Sequence, residues 1–172
     1  MPKSSFPPVV DEDTRVLILG SLPGEASLAA AQYYAHPQNQ FWRLTGGVTG
    51  LDLTSAAYPE RLDALLGAGV GLWDVVKSAE RMGSLDAAIR NPAANPLAAF
   101  VMSLPSLKAV AFNGGTAARI GTRLLAAETD LALIALPSSS PAYTAPFDAK
   151  LAAWLALRAY LEPAIPRSSR RG

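Results

Sequence analysis

Cysteine is missing altogether, and histidine occurs once, at position 36. Without thiols the chain can form no disulfide and can hold no iron–sulfur cluster through thiolates. With His36 as the one imidazole, a structural zinc site is not expected. No apolar run approaches the ~20 residues that a membrane-spanning helix needs. Neither sign of charge dominates, since 15 Lys and Arg face 14 Asp and Glu. Bulk charge therefore points neither toward nor away from nucleic acid, and an enzyme that meets a polyanion on one face needs only a local positive patch. The opening, MPKSSFPPVVDEDTRV, has no apolar signal core before its acidic residues. A cytoplasmic protein is the expectation.

What is present is a chain of 172 residues, half of them apolar. That suffices for one domain with a real core. Arg15–Gly20 (RVLILG) is an apolar run that ends in glycine, as a buried strand feeding a loop does. Ala26–Tyr34 has helical propensity. Arg61–Leu66 is a short helix preceded by Pro59 and stopped by Gly67. Val70–Val76 reads as a second strand interrupted by Asp74, Leu107–Phe112 as a third, Thr116–Ala127 as a helix and Leu131–Leu136 as a fourth strand. Phe147–Leu161 reads as a closing helix with Phe147, Leu151, Trp154 and Leu161 on one face. Continuous apolar strands alternating with helices imply a parallel sheet covered on both faces. The expected division is a leader over 1–14, a domain over 15–162 and a basic, mobile tail over 163–172.

In such sheets ligands sit beyond the carboxyl ends of the strands, and three unusual loops fall there. Gly20-Ser21-Leu22-Pro23-Gly24 can approach a ligand closely and present backbone amides. It lacks the third glycine of a dinucleotide fingerprint. Phe112-Asn113-Gly114-Gly115 puts an aromatic and a two-way amide at a strand end. Leu136–Tyr143 (LPSSSPAY) is stiff and rich in hydroxyls that suit phosphates. The most informative stretch is Tyr33–Trp42 (YYAHPQNQFW), which packs four aromatics, His36 and three side-chain amides into ten residues. Pro37 blocks a continuous helix through it. Aromatics stack on a planar heterocycle and amides read its edge. Asp74 reads as a structural acid and Arg90 as a surface or phosphate-facing cation.

GSLPGEASL, YYAHPQNQFW, LWDVV, GSLDAAIRNPAANPLAAF, AFNGG and LPSSSPAYT, in that order from about Arg15 to Trp154, resemble the hypoxanthine-DNA glycosylases. These form the deoxyinosine-specific branch of the uracil-DNA glycosylase superfamily. The resemblance implies a three-layer α/β/α sandwich around a four-stranded parallel sheet. It also implies a monofunctional DNA glycosylase without cofactor, acting on double- or single-stranded DNA that carries a deaminated base, while the absent cysteines, the single histidine and a fold that closes on itself lead us to expect a metal-independent monomer. The mismatch-specific uracil/thymine branch shares a similar HPxNxFW segment, but keeps a water-holding asparagine where Leu22 stands here. In the hypoxanthine branch the catalytic asparagine lies in the HPQN segment, and Asn39 matches it. The substrate pocket is then assigned to Gly20, Ser21, Leu22, Pro23, Gly24, His36, Gln38 and Asn113, with Phe41 or Phe112 stacking on the base. Ser138, Ser139, Ser140 and Arg90 are assigned to the DNA backbone, with Arg167, Arg170 and Arg171 of the tail as further candidates. Two readings from other classes stand beside this one. They are a serine hydrolase using Ser138 or Ser21 with His36 and Asp74, although neither serine lies in GxSxG, and a non-catalytic binder of damaged DNA.

Overall fold

The structure is a computed structural model that describes residues 3–80, 90–125 and 130–161. In chain order these form β1 (Lys3–Ser4), β2 (Val16–Gly20), α1 (Glu25–Ala30), α2 (Phe41–Thr49), α3 (Tyr58–Gly67), β3 (Val70–Asp74) and β4 (Val76–Glu80). There follow β5 (Arg90–Ala94), α4 (Leu97–Met102), β6 (Ala109–Asn113), α5 (Gly115–Leu125), β7 (Ala132–Leu136) and α6 (Phe147–Trp154). A 3-10 turn over Leu155–Leu157 leads into α7 (Arg158–Leu161).

The core is a four-stranded parallel sheet of order β3-β2-β6-β7. Every residue of β2, β3 and β6 is buried, which is why these strands read as unbroken apolar runs. The two-residue period of a strand sorts their side chains into two layers. Val16, Ile18, Val70, Leu72, Ala109 and Ala111 pack with Phe41 and Leu44 of α2, Leu65 of α3 and Trp154 of α6. Leu17, Leu19, Val110 and Phe112 pack with Leu97 and Val101 of α4 and with Ala117 and Leu125 of α5. The result is the expected α/β/α sandwich. After β2 the chain crosses to β3 on one side, and β6 then joins β2 on the other, so the loops leaving β2 and β6 diverge. A crevice opens at such a reversal of strand order.

Four features depart from the sequence reading. Within the expected leader, residues 3–14 pack against the rest of the domain. Lys3–Ser4 pairs with β4, and Val9 forms an antiparallel bridge with Leu72 through two 2.9 Å hydrogen bonds, covering the edge of the main sheet. The indole Nε1–H of Trp73 donates to the Phe6 carbonyl at 3.1 Å. Second, the stretch VGLWDVV is divided. After Asp74, the amides of Val75 and Val76 donate to the carbonyls of Gly20 and Ser21 at 2.8 and 3.1 Å. The chain then enters a small antiparallel sheet of order β1-β4-β5.

Third, α2 begins inside the aromatic stretch, at Phe41. Its Thr45-Gly46-Gly47 sequence hides it from propensity, and packing favours glycine at 46, because a Cβ there would lie 2.9 Å from the Leu51 carbonyl oxygen. Fourth, the helix expected to reach Tyr34 stops at Ala30. Both Ala31 and Tyr34 adopt left-handed backbone, each with φ of 53°. The tail arginines lie outside the described residues, as does the Arg90 side chain, whose backbone opens β5. No helix among the described residues is long and apolar enough to cross a membrane.

Candidate active site

A cavity of about 700 Å³ opens at the carboxyl ends of the parallel strands. That is a common size for a small-ligand site. Strand register decides what forms its floor. Gly20 pairs with Asp74 across β2 and β3, while Leu19 pairs with Phe112 across β2 and β6, so Asn113 comes level with Gly20 on the other side. Asp74, Gly20 and Asn113 all line the cavity, and the two polar residues are 3% and 7% exposed. The close approach of Asp74 and Tyr34 to the chain at position 20 requires glycine there. A Cβ on Gly20 would lie 2.8 Å from Asp74 Oδ1 and 2.9 Å from the Tyr34 hydroxyl oxygen, closer than real Cβ contacts come.

Tyr34 supplies a ring to one wall. It stacks on Phe41 with centroids 3.8 Å apart and planes 13° from parallel. Phe41 is itself wedged edge-on between Trp42 and Trp154 and is fully buried. The unusual backbone at Tyr34 is pinned on both sides. Trp42 Nε1–H donates to the Tyr34 carbonyl at 3.1 Å, and the Ala35 amide donates to Ser27 Oγ at 3.1 Å. Beside it the Tyr33 hydroxyl donates to the carbonyls of Pro7 and Phe6 at 3.0 and 3.3 Å. Burial, followed by the negative charge of Asp74, pushes that hydroxyl well above the ordinary tyrosine range.

The turn after Tyr34 carries two functional groups to the rim. His36 Nδ1 accepts the Gln38 amide at 3.1 Å, which assigns the imidazole proton to Nε2. Asn39 Oδ1 accepts the Phe41 amide at 3.0 Å and so fixes the start of α2. An amide oxygen has a second lone pair and the amide nitrogen two donors, so this bond leaves Asn39 able to hold a water.

The serine loop closes the opposite rim and is tied to both neighbours. Asn113 Nδ2 donates to Ser139 Oγ at 2.9 Å, the Ser139 amide donates to Asn113 Oδ1 at 2.8 Å, and the Gln40 amide donates to the Ser139 carbonyl at 3.0 Å. Ser138 Oγ and Ser140 Oγ accept the amides of Ser140 and Ala142, both at 3.1 Å. As acceptors they keep their hydroxyl protons for an anion outside. Beneath the loop Lys150 is buried, with Nζ donating to the Ser140 carbonyl at 3.2 Å and lying 5.3 Å from the Tyr143 ring centroid. Burial lowers its pKa. Among the described residues no group of three or more His, Cys, Asp or Glu could hold a metal ion.

A stacking wall, a buried polar edge and a rim of hydroxyls can take up one planar heterocycle while gripping an attached phosphodiester. Comparison with known proteins agrees in kind. The family model described as the Uracil DNA glycosylase superfamily matches residues 7–161. The chain belongs to that superfamily. Among its relatives is a protein of Methanosarcina barkeri named Hypoxanthine DNA glycosylase, 49% identical over 114 residues, which span 66% of this chain and 72% of the relative. A protein of the same name from Methanosarcina acetivorans is 41% identical over 144 residues, 83% of this chain and 89% of the relative. A solution NMR structure from Methanosarcina acetivorans, provisionally assigned as a uracil DNA glycosylase, superposes with a TM-score of 0.84 at 37% identity. It covers 95% of this chain and 100% of the other.

Within this superfamily chain the candidate residues fall into three groups. Gly20, Ser21, Leu22, Pro23, Gly24, His36, Asn39, Asn113 and Ser138 to Ser140 surround one cavity. Phe112 and Phe41 stand apart from the cavity lining. Phe112 alternates with Asn113 along β6, so only one of the two can face the cavity. The Phe112 ring instead abuts Gly121 of α5, where an added Cβ would sit 2.2 Å from Cε1. Phe41 backs the wall that Tyr34 presents. Gln38 is exposed and touches the site through its backbone bond to His36. Sequence reasoning passed over Tyr34 and set Asp74 aside. Tyr34 shared its stretch with three other aromatics, and nothing local marks the left-handed backbone that singles it out. Asn95 was also missed. It is 5% exposed, and its Nδ2 donates to the Asp74 carbonyl at 2.7 Å, anchoring the end of β3.

Proposed function

We propose that this protein is a monofunctional DNA glycosylase that flips a deaminated nucleotide out of the helix and hydrolyses its N-glycosidic bond, with hypoxanthine as the preferred base. The observation that carries the reading is the Tyr34 ring, braced by Phe41 from behind, beside a buried floor of Asp74, Gly20 and Asn113. Stacking and edge recognition are what a flipped base requires. Both Methanosarcina relatives named Hypoxanthine DNA glycosylase support the choice of base.

Cleavage leaves a cationic, oxocarbenium-like sugar and a departing base anion. A strong general base is unnecessary once the sugar carries charge, and a neutral group that aims a water suffices. Asn39 is that group. The backbone of Ser21 and Leu22 helps to hold that water, whereas the Leu22 side chain, 6% exposed and packed into the layer with Leu19 and Val76, offers it no polar group. His36 Nε2–H donates toward the leaving base, and Ser138 to Ser140 hold the flanking phosphates. The enzyme works as a monomer and without metal.

The serine hydrolase reading loses ground on geometry. A Ser–His–Asp relay gives the Nδ1 proton to a carboxylate, whereas His36 Nδ1 here accepts a backbone amide. Single-turnover excision on matched duplexes carrying hypoxanthine or uracil tests the proposal. Faster release of hypoxanthine is expected. Faster release of uracil moves the protein to the mismatch-specific activity, and binding without release makes it a damaged-DNA binder.

A further inference from the structure

Lys150 stands in the first turn of α6, beneath the serine loop, and is 1% exposed. An ammonium taken out of water is costly, and as a rule it is kept inside a protein only where an anion faces it. The partners of Lys150 Nζ are the Ser140 carbonyl at 3.2 Å and the Tyr143 ring, whose centroid is 5.3 Å away. Neither is a carboxylate, so among the described residues this charge has no counter-ion within the fold. The same helix also holds the other end of the loop, where Trp154 Nε1–H donates to the Pro137 carbonyl at 2.9 Å.

Ser140 is the residue on which the loop turns. Its carbonyl accepts the Tyr143 amide at 3.1 Å as well as the ammonium, and its hydroxyl accepts the Ala142 amide at 3.1 Å. Because Lys150 is inside the fold, its bond draws the Ser140 carbonyl oxygen inward. The negative end of that dipole is thereby turned away from the surface, where Ser138 and Ser140 keep their hydroxyl protons for an acceptor. An anion at the outer face meets hydroxyl donors in front and a whole positive charge behind them. We propose that Lys150 is a positioning residue that fixes Ser140 from below and, through the loop, supplies the counter-charge for the phosphodiester beside the flipped nucleotide. The inference rests on the glycosylase reading above and adds to it the source of positive charge that Ser138 to Ser140 themselves lack. Acidic and basic residues nearly balance over the whole chain, so a grip on a polyanion needs cations placed locally. A cation already fixed within the fold loses no side-chain freedom when DNA arrives. The phosphate in turn favours the charged form of Lys150, against the lowering of its pKa that burial imposes.

The experiment measures Kd for a deoxyinosine duplex at salt concentrations between about 50 and 200 mM, in the wild type, Lys150→Met and Lys150→Gln. Methionine fills the space without a charge, and glutamine keeps a donor for the Ser140 carbonyl without a charge. Each phosphate charge neutralised contributes about 0.9 to the slope of log K against log salt, so both variants are expected to lose about 0.5 to 1 from that slope. At the low-salt end binding weakens by roughly 10- to 50-fold, what one unit charge contributes across about 7–10 Å at an effective dielectric constant near 20. The melting temperature of Lys150→Met holds or rises, because an apolar group of similar volume in place of a buried charge is often neutral or stabilising. A lysine kept for stability alone gives the opposite pair of results, a lower melting temperature with an unchanged slope. If the methionine variant fails to fold, the glutamine variant decides. A slope unchanged from the wild type in Lys150→Gln overturns the role of the charge, whatever Lys150→Met does, and leaves the glycosylase reading in place. Release of the base from the same duplex is followed alongside. A wild type that releases no hypoxanthine overturns that reading first, and this inference with it.

Discussion

Asn39→Ala removes two things at once, and the structure separates their sizes. The first is the 3.0 Å bond from the Phe41 amide to Asn39 Oδ1 at the start of α2. One such bond contributes about 0.5–1.5 kcal/mol, and 1 kcal/mol lowers the melting temperature of a domain of this size by about 2–4 °C. A fall of roughly 1–6 °C is therefore expected, and the protein stays folded at 25 °C. The second is the positioned water. Losing one preorganised group aimed at a developing charge costs about 2.7–4 kcal/mol, or roughly 100- to 1000-fold in rate. Because Asn39 is neutral, affinity for DNA should barely change.

The assay is single-turnover excision from an inosine duplex, with binding and thermal denaturation followed separately. Asn39→Asp keeps an acceptor for the Phe41 amide, so it should melt closer to the wild type and retain more activity than the alanine variant. A wild-type excision rate in Asn39→Ala, accompanied by the expected small loss of stability, would refute the reasoning. It would reduce Asn39 to a helix-start residue and move the search for the catalytic group to His36.

Tyr34→Leu should weaken capture of the flipped base through lost stacking, worth about 1–3 kcal/mol per base, read as a higher KM or a weaker Kd for the lesion duplex. An unchanged value would remove Tyr34 from the stacking role. Phe112→Ala should cost about 3–5 kcal/mol of stability, as large core truncations do. Excision per folded molecule should stay near the wild-type value, and a selective loss of that rate would return Phe112 to the base. Tyr33→Phe tests the raised tyrosine pKa and the docking of residues 3–14 together. A raised folded-state pKa gives stability that is complete below the ordinary tyrosine value of about 10 and is lost as pH rises beyond it. The wild-type melting temperature should thus fall above that pH, and the variant should show a shallower fall from a lower starting point. Equal slopes would exclude Tyr33 as the source.

The strands and the loops that leave them were legible in the sequence, because their signals are local. RVLILG, LKAVAF and LALIAL are apolar runs of strand length that end in glycine, asparagine or proline, and only a strand covered on both faces has a use for such a run. The aromatic and amide content of Tyr33–Trp42 was equally plain, as was the match of its motifs to the glycosylases. The pairing of Lys3–Ser4 with β4 and the bridge at Val9 were not, since two short contacts near Pro7 and Pro8 carry no periodic pattern. Alternation along β6 says that Phe112 and Asn113 face opposite ways, but which of them meets a ligand depends on the layer in which the helices leave a gap. That gap lies on the side of α2 and α6, where Gly20 lets Asp74 and Tyr34 close in on the floor. Tyr34 reaches it through left-handed backbone held by Trp42 and Ser27, and Asp74 through the alignment of β3 with β2. Composition and periodicity fix an element and its two faces. Only the packing of distant elements fixes which face stays open to a ligand, and with it which of several neighbouring residues meets the base.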